Sequence, residues 1–201
     1  KAMGDSRDDL PRTEAHCFVP EEPYGLSKWR AENALRREFG GTSLRLSIIR
    51  PVLVYGAGVK GNLQLLARGV RRGLPRPPSG GQRSYIALAD LVAILCVAVS
   101  SPPRAPRVWI ACTESHSTQQ IYDLFCAAMG KTPGRAWLPL WVWRLAASML
   151  DMLQRNPHDA TYKKLFSTEL YSSECLHREI DWTAQHRLSE EARTLLEQAR
   201  S

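Results

Sequence analysis

The stretch Tyr24-Gly25-Leu26-Ser27-Lys28 decides how the rest of the chain is interpreted. Its first and last residues are four positions apart, a spacing that places both side chains on one face of a helix. A positive charge beside a phenol favours the phenolate, which can take a proton from a hydroxyl group near neutral pH. We therefore identify Tyr24 and Lys28 as candidate catalytic residues, although such a pair on an exposed helix is also an ordinary structural feature.

The sequence around this pair predicts a helix followed by a buried strand. Proline at the start and Gly40-Gly41 at the end predict a helix from Pro23 to Phe39. The apolar residues from Ser43 to Arg50 predict a buried parallel strand that Pro51 ends.

Farther along the chain, the sequence predicts more helices and one more strand. Asp90 is predicted to be the N-cap of a helix from Leu91 to Ser100. The apolar segment from Trp137 to Leu153, with a helix around Trp141 to Leu153, contains Pro139, Arg144 and Asp151, so we expect a buried helix rather than a membrane span. Tryptophans near its start are also typical of peripheral membrane contact. The remaining predictions are a helix from Asn62 to Arg72, a strand from Arg107 to Cys112, a capping box at Ser117 to Gln120 and a polar loop over residues 156–168.

Four motifs occur in a characteristic order along the chain. Pro23-Tyr24-Gly25-Leu26-Ser27-Lys28 is followed by Ile49-Arg50-Pro51-Val52-Leu53-Val54-Tyr55-Gly56, by Arg83-Ser84-Tyr85-Ile86 and by a tail with Arg178-Glu179-Ile180-Asp181-Trp182. Together they resemble the extended short-chain dehydrogenase/reductase family, in particular its nucleotide-sugar epimerase/dehydratase branch, typified by UDP-glucose 4-epimerase. The resemblance implies an α/β fold: the second half of a Rossmann-type parallel sheet with helices, plus a small, mainly helical substrate domain.

The resemblance also implies how the domains divide the chain. Residues 1–55 and 84–113 would form the C-terminal part of the NAD-binding domain, and residues 56–83 and 114–201 the substrate-binding domain. The sequence has no G-x-x-G-x-x-G pattern that opens a helix, and the family's catalytic Ser or Thr would precede Lys1. We therefore expect a C-terminal fragment, inactive by itself, of a protein with a further N-terminal half.

The cofactor implied by the resemblance is NAD. Tyr24, Lys28, Pro51 and Val52 match positions that border the cofactor in this family. Tyr24 would remove a proton from a sugar hydroxyl while NAD⁺ accepts a hydride, and the resulting 4-keto sugar would then be reduced on its other face. Lys28 would bond to the nicotinamide ribose and favour the ionised form of Tyr24.

The substrate implied by the resemblance is a nucleotide-diphosphate sugar. Leu53, Asn62 and Arg83 match substrate-binding positions, and a guanidinium suits the diphosphate because its parallel donors fit phosphate oxygens. Epimerases of this branch often have Asn in place of Leu53, whose side chain cannot form that polar contact. This difference leaves the exact substrate class open.

The cysteine content predicts a reduced, cytoplasmic protein, and the resemblance implies a bacterial enzyme. The net charge is +7 and the pI about 9.4, but the basic residues are scattered, so we expect an anionic small molecule rather than nucleic acid as the partner. The five cysteines show no Cys-x-x-Cys spacing, so neither a zinc site nor a secreted disulfide framework is expected. Trp29 and Leu35 of the first helix could serve a homodimer contact or pack in the core.

Three functional hypotheses stay open at this stage. The first is NAD-dependent epimerisation of a UDP-hexose at C4. The second is a related NAD(P)-dependent reductase, dehydratase or hydroxysteroid dehydrogenase-like enzyme, which Leu53 and the apolar Trp-rich segment favour. The third is a non-catalytic fragment or binding module.

Overall fold

The computed structural model describes residues 2–4, 10–59, 61–103, 105–154 and 160–199. The chain divides into two compact units, the first comprising residues up to 54, 86–113 and 170–185, and the second comprising residues 55–85, 114–169 and those from 186 onward. Residues 170–185 thus belong to the first unit, whereas the sequence-based division assigned them to the substrate-binding domain. The functions assigned to the two domains stay predictions.

The described chain has mixed helices and strands as far as Ser117 and only helices after it. The elements in order are α1 (Pro23–Phe39), β1 (Ser47–Pro51), β2 (Leu53–Tyr55), α2 (Asn62–Arg71), β3 (Gln82–Ala87), α3 (Leu88–Ser100), β4 (Arg107–Ala111), β5 (Glu114–Ser117), α4 (Thr118–Ala128), α5 (Leu140–Gln154), α6 (Ala160–Phe166), α7 (Glu174–Glu179) and α8 (Leu188–Gln198).

A parallel pair of strands lies in the first unit. β1 pairs with β4 in a register that runs from Ser47 opposite Arg107 to Pro51 opposite Ala111. This pairing and the surrounding helices confirm the predicted α/β class. The predicted start of β1 at Ser43 is wrong, because the hydroxyl of Thr42 accepts a hydrogen bond from the Leu44 amide and holds this segment in a turn.

The core of the first unit packs helices α3 and α7 against β3 and β4. Ile86, Ile94 and Leu176 are fully buried, and Trp109 is nearly so. The Trp109 indole Nε1 donates to Glu179 Oε2 at 3.1 Å, which satisfies the polar end of this large buried ring. Packing of these buried apolar side chains therefore stabilises the first unit, to which β1 and α1 belong.

Asp90 does not have the predicted N-cap position. Helix α3 begins at Leu88, with Ala87 at the N-cap, so Asp90 lies inside the first turn. It is buried, and its Oδ1 accepts a hydrogen bond from the Gln185 amide at 3.1 Å. The helix begins earlier than predicted because β3, which ends at Ala87, continues directly into α3 at Leu88.

The second unit contains the antiparallel pairing of β3 with β5, which aligns Gln82 with Ser117 and Tyr85 with Glu114. The sheet has the strand order β2-β3-β5. Helix α4 begins with the predicted capping box, in which Ser117 and Gln120 satisfy each other's backbone amides. Helices α2, α4 and α8 pack against one another.

Helices α5 and α6 differ from both sequence-based predictions for this region. Only one face of α5 is buried, so the prediction of a buried helix is wrong. The predicted polar loop is wrong for residues 160–166, which form α6, while residues 156–159 lie outside the described residues. The reason is Asp151, whose buried carboxylate accepts hydrogen bonds from the amide and hydroxyl of Thr161 and so anchors the start of α6. None of the described helices is long and apolar enough to cross a membrane.

Gly81 occupies a place with no room for a side chain. A Cβ there would lie 2.3 Å from the Ser167 carbonyl carbon and 2.4 Å from the Thr168 amide nitrogen. We expect Gly81→Ala to lower the free energy of unfolding by about 3 kcal/mol, because backbone atoms cannot move aside as a flexible side chain can. Chemical denaturation measures the loss, and Gly61→Ala is the control, since no atom lies within 4 Å of its added Cβ. Equal stabilities of the two variants would contradict this packing.

Candidate active site

The Tyr–Lys pair lies on the exposed surface of α1. The Lys28 Nζ is 5.5 Å from the centroid of the Tyr24 ring, so the helical spacing does bring the two side chains together. The Tyr24 side chain is 63% exposed, and Lys28 is exposed as well. A ligand can therefore reach both groups from solvent.

Helix α1 orients this pair through its first turns. Pro23 occupies the start of the helix, where its missing N–H costs no hydrogen bond. Gly25 is the helix's buried residue, and the Ser27 hydroxyl donates to the Tyr24 carbonyl at 2.8 Å. Tyr24 and Lys28, on either side of Gly25 in the sequence, are both exposed to solvent.

A buried ion pair links α1 to β1, and sequence reasoning missed it. Arg50 Nε and Nη2 donate to the two carboxylate oxygens of Glu32 at 3.0 and 2.6 Å. Burial alone would lower the pKa of Arg50, but the bonds to Glu32 outweigh it and raise the pKa. Because this bidentate pair is geometrically specific, it fixes the helix with the Tyr–Lys pair to the strand that ends at Pro51. Arg50 lies inside a quoted motif and Glu32 lies four residues after another, but no spacing rule connects them.

The predicted cofactor positions on the strand side lie at the end of β1. Pro51 is exposed, whereas Val52 is half-buried and packs against the core of the first unit. The Val52 amide donates to the Ala111 carbonyl at 3.2 Å, which extends the parallel pairing one residue beyond β1. Leu53 follows as the first residue of β2 and is also half-buried.

The predicted substrate residues Asn62 and Arg83 belong to the second unit. Asn62 is exposed at the first position of α2. Arg83 lies in β3, where it forms an ion pair with Glu169 and donates from Nη1 to the Lys164 carbonyl at 3.3 Å. Its buried Nε has no hydrogen-bond partner among the described residues. Glu169 is a neighbour that the sequence did not reveal.

Glu114 is the centre of a hydrogen-bond cluster in the second unit. Its Oε1 accepts from the Tyr55 hydroxyl at 2.5 Å and the Leu188 amide at 2.8 Å, and its Oε2 lies 2.8 Å from His116 Nε2. Burial would raise the pKa of Glu114, but the bonds from His116, Tyr55 and Leu188 together lower it. His116 lies in β5 and takes part in this cluster.

Comparisons with known proteins identify the family. Residues 1–111 match the profile of the NAD dependent epimerase/dehydratase family. The UDP-glucose 4-epimerase of Vibrio cholerae is 33% identical over 132 residues, which cover 63% of this chain and 40% of that protein. The chain thus spans about two fifths of the length of this curated relative.

Solved structures agree in fold. The Thermotoga maritima UDP-glucose 4-epimerase, solved with UDP-glucose, has a TM-score of 0.70 at 18% identity and covers 98% of this chain and 60% of its own. The Thermus thermophilus UDP-glucose 4-epimerase, in complex with NAD, has a TM-score of 0.66 at 18% identity and covers 99% of this chain and 60% of its own. At these identities the matches show the α/β Rossmann-type fold. Together with the family profile, which matches more than half of the residues, they establish that the chain belongs to the NAD-dependent epimerase/dehydratase family.

Proposed function

We propose that the protein interconverts UDP-hexoses at C4 with NAD as its cofactor, through transient oxidation to a 4-keto sugar. The observation that carries the proposal is the exposed Tyr24–Lys28 pair, with Lys28 Nζ 5.5 Å from the ring centroid of Tyr24. The Vibrio cholerae UDP-glucose 4-epimerase, which resembles this chain at 33% identity, supports the reaction type.

Tyr24 is the acid and base of the proposed reaction. Its hydroxyl is on an exposed side chain, so a sugar can approach within hydrogen-bond distance. In the oxidative half, the phenolate takes the proton of the C4 hydroxyl. In the reductive half, the phenol returns this proton to the oxygen of the keto group.

The residues around this pair suit a nicotinamide dinucleotide. When bound, NAD supplies the redox chemistry, by accepting the hydride from the sugar carbon and returning it. The Lys28 ammonium is an exposed donor group on the same helix face as Tyr24, and such a group fits the hydroxyls of a ribose. Pro51 and Val52, at the end of β1, would border the nicotinamide with an apolar surface.

Arg83 is the proposed anchor of the UDP diphosphate. The parallel N–H groups of its guanidinium fit phosphate oxygens, and Glu169 holds the side chain in place. We expect Arg83→Gln to weaken UDP binding about tenfold or more, since a charge-assisted bond is lost. Titration calorimetry with UDP measures the change. Arg76→Gln is the matched control, because Arg76 also forms a bidentate pair in the second unit, with Asp123. A similar loss in both variants would count against a diphosphate site at Arg83.

Leu53 supports a second candidate, a related oxidoreductase with a more apolar substrate such as a hydroxysteroid. Its half-buried aliphatic side chain can offer only apolar contact. The two candidates differ in the molecule that is oxidised. The second candidate would be favoured by NAD reduction, measured at 340 nm, in the presence of a hydroxysteroid, together with no formation of the epimer from UDP-glucose.

The direct test uses the protein as its source makes it. It is incubated with NAD and UDP-glucose, and chromatography follows the appearance of UDP-galactose. The proposal predicts formation of this epimer without net consumption of NAD, because the hydride returns to the same sugar. Irreversible accumulation of NADH, or of a dehydrated sugar, would instead identify a dehydrogenase or a dehydratase. No reaction with any nucleotide sugar would leave the Tyr24–Lys28 pair as a structural feature of a binding module.

A further inference from the structure

In helix α5 the Asp151 carboxylate lies on the buried face, whereas several large apolar side chains lie on the exposed face. Trp143, Ala147 and Asp151 recur every four residues and are buried, so they define the inner face of the helix. The opposite face carries apolar side chains that are between 55% and 77% exposed. These are Trp141, Leu145, Met149, Met152 and Leu153.

The exposed apolar surface continues ahead of the helix. Trp137, in the preceding segment, is 74% exposed. We call Trp137 and the five outward residues of α5 the α5 face. The helix has 15 residues and is therefore about 22 Å long. A contiguous apolar strip of this kind on a soluble surface marks an interaction site.

The excess of positive charge in the chain lies entirely in the unit that contains α5. The second unit has 15 Lys and Arg against 8 Asp and Glu, whereas the first unit has 12 of each. The whole net charge of +7 therefore belongs to the second unit. Such an imbalance favours an anionic partner.

The charges close to the α5 face have the same sign. Lys131 and Arg135 are exposed in the segment before the helix, and α6 exposes Lys163 and Lys164. Helix α6 packs against α5, and the ring centroids of Phe166 and Trp143 are 6.1 Å apart. Among the described residues between 130 and 169, the fully exposed charged side chains are all positive.

The two acidic side chains that the structure describes between residues 130 and 169 are already engaged. Asp151 is buried and bonded to Thr161, and Glu169 is paired with Arg83. In the described part of this region, the surface around the α5 face therefore combines apolar side chains with cations and exposes no carboxylate that would repel an anionic surface.

We propose that α5 lies in the plane of an anionic lipid surface, with the α5 face at the boundary between head groups and acyl chains. Tryptophan is favoured at this depth, and leucine and methionine add apolar area. The cations of α6 and of the segment before α5 would contact anionic head groups. A second copy of the chain is the poorer occupant, since face-to-face packing would bring the same cations together. The inference goes beyond the proposed reaction and requires neither NAD nor a nucleotide sugar.

The test is sedimentation of the protein with vesicles of phosphatidylcholine containing about one third phosphatidylglycerol. Vesicles of phosphatidylcholine alone provide the comparison. We expect binding to the anionic vesicles that is at least about tenfold tighter and that weakens with added salt. Leu145→Glu should reduce this binding about tenfold or more, because it places a charge where an apolar side chain enters the lipid.

Two further variants sharpen the result. Met152→Glu repeats the change at a second exposed position of the α5 face and should have the same effect. Leu65→Glu is the matched control, because Leu65 is 63% exposed in the same unit but lies on α2, and it should bind as the unchanged protein does. Circular dichroism verifies that each variant is folded.

Three outcomes would overturn the proposal. One is the absence of binding to anionic vesicles. Another is binding that Leu145→Glu and Met152→Glu leave unchanged, which would assign it to another surface. The last is a concentration-dependent dimer that either substitution dissociates, with no vesicle binding, since a second copy would then cover the α5 face. Sedimentation velocity detects that dimer.

Discussion

Tyr24→Phe is expected to lower kcat for the proposed epimerisation by about 10² to 10⁴-fold, the usual contribution of a positioned acid or base. The substitution removes one oxygen and leaves the ring beside Lys28, whose Nζ is 5.5 Å from its centroid. Because Tyr24 is 63% exposed, the fold should not change. Steady-state assays with UDP-glucose measure the loss.

The matched control for this experiment is Tyr162→Phe. Tyr162 also has a cation over its ring, with Arg144 Cζ 5.7 Å from the centroid, but it lies on α6. It should retain full activity. If Tyr24→Phe kept more than a third of the original kcat, or if both variants lost activity equally, Tyr24 would not be the proton-transfer group.

Glu114→Gln is expected to destabilise the protein by about 2–4 kcal/mol, the range for breaking a buried hydrogen-bond cluster with a charged member. Oε1 of Glu114 accepts hydrogen bonds from the Tyr55 hydroxyl and the Leu188 amide, and Oε2 lies against His116 Nε2. Glutamine has a single acceptor oxygen, so it cannot accept hydrogen bonds at both positions. Urea denaturation at neutral pH measures the difference. Glu197→Gln, at an exposed position of α8 in the same unit, is the control and should change stability little.

The same cluster predicts the direction of acid sensitivity. The pKa of Glu114 is lowered in the folded protein, so the carboxylate contributes stability above its ordinary pKa of about 4.5. That contribution is lost as the pH falls from this value through the lower folded-state pKa. The stability gap between Glu114→Gln and the unchanged protein should therefore shrink as the pH falls. A gap that stayed constant down to the acid transition would contradict the linkage.

Local features with a chemical signature could be predicted from the sequence. Proline before Tyr24 and paired glycines after Phe39 gave both ends of α1 correctly. The reciprocal capping of Ser117 and Gln120 needs only neighbouring residues, and it was also predictable. The family could be recognised because its motifs occur in a fixed order.

Features that depend on distant residues could not be predicted in this way. Glu32 and Arg50 meet only because α1 packs beside β1, and Glu169 reaches Arg83 from a segment far along the chain. Helix α5 is another element for which the sequence did not predict which side chains are buried. An apolar pattern predicts burial on average, and only the structure shows that Asp151 faces inward while Leu145 and Met152 face outward.

The first unit is assembled from three separate stretches of the chain, because residues 55–85 and 114–169 belong to the second unit. The pairing of β1 with β4 joins residues more than fifty positions apart, and closing such a loop costs chain entropy before any strand contact compensates for it. Non-local pairing of this kind is typical of slow folding. Neither unit corresponds to one continuous segment of the gene. A shortened gene that lacks the codons for residues 55–85 or for residues 114–169 would therefore remove that whole segment of the second unit. The two ends left in the first unit would then have to be joined by a new connection.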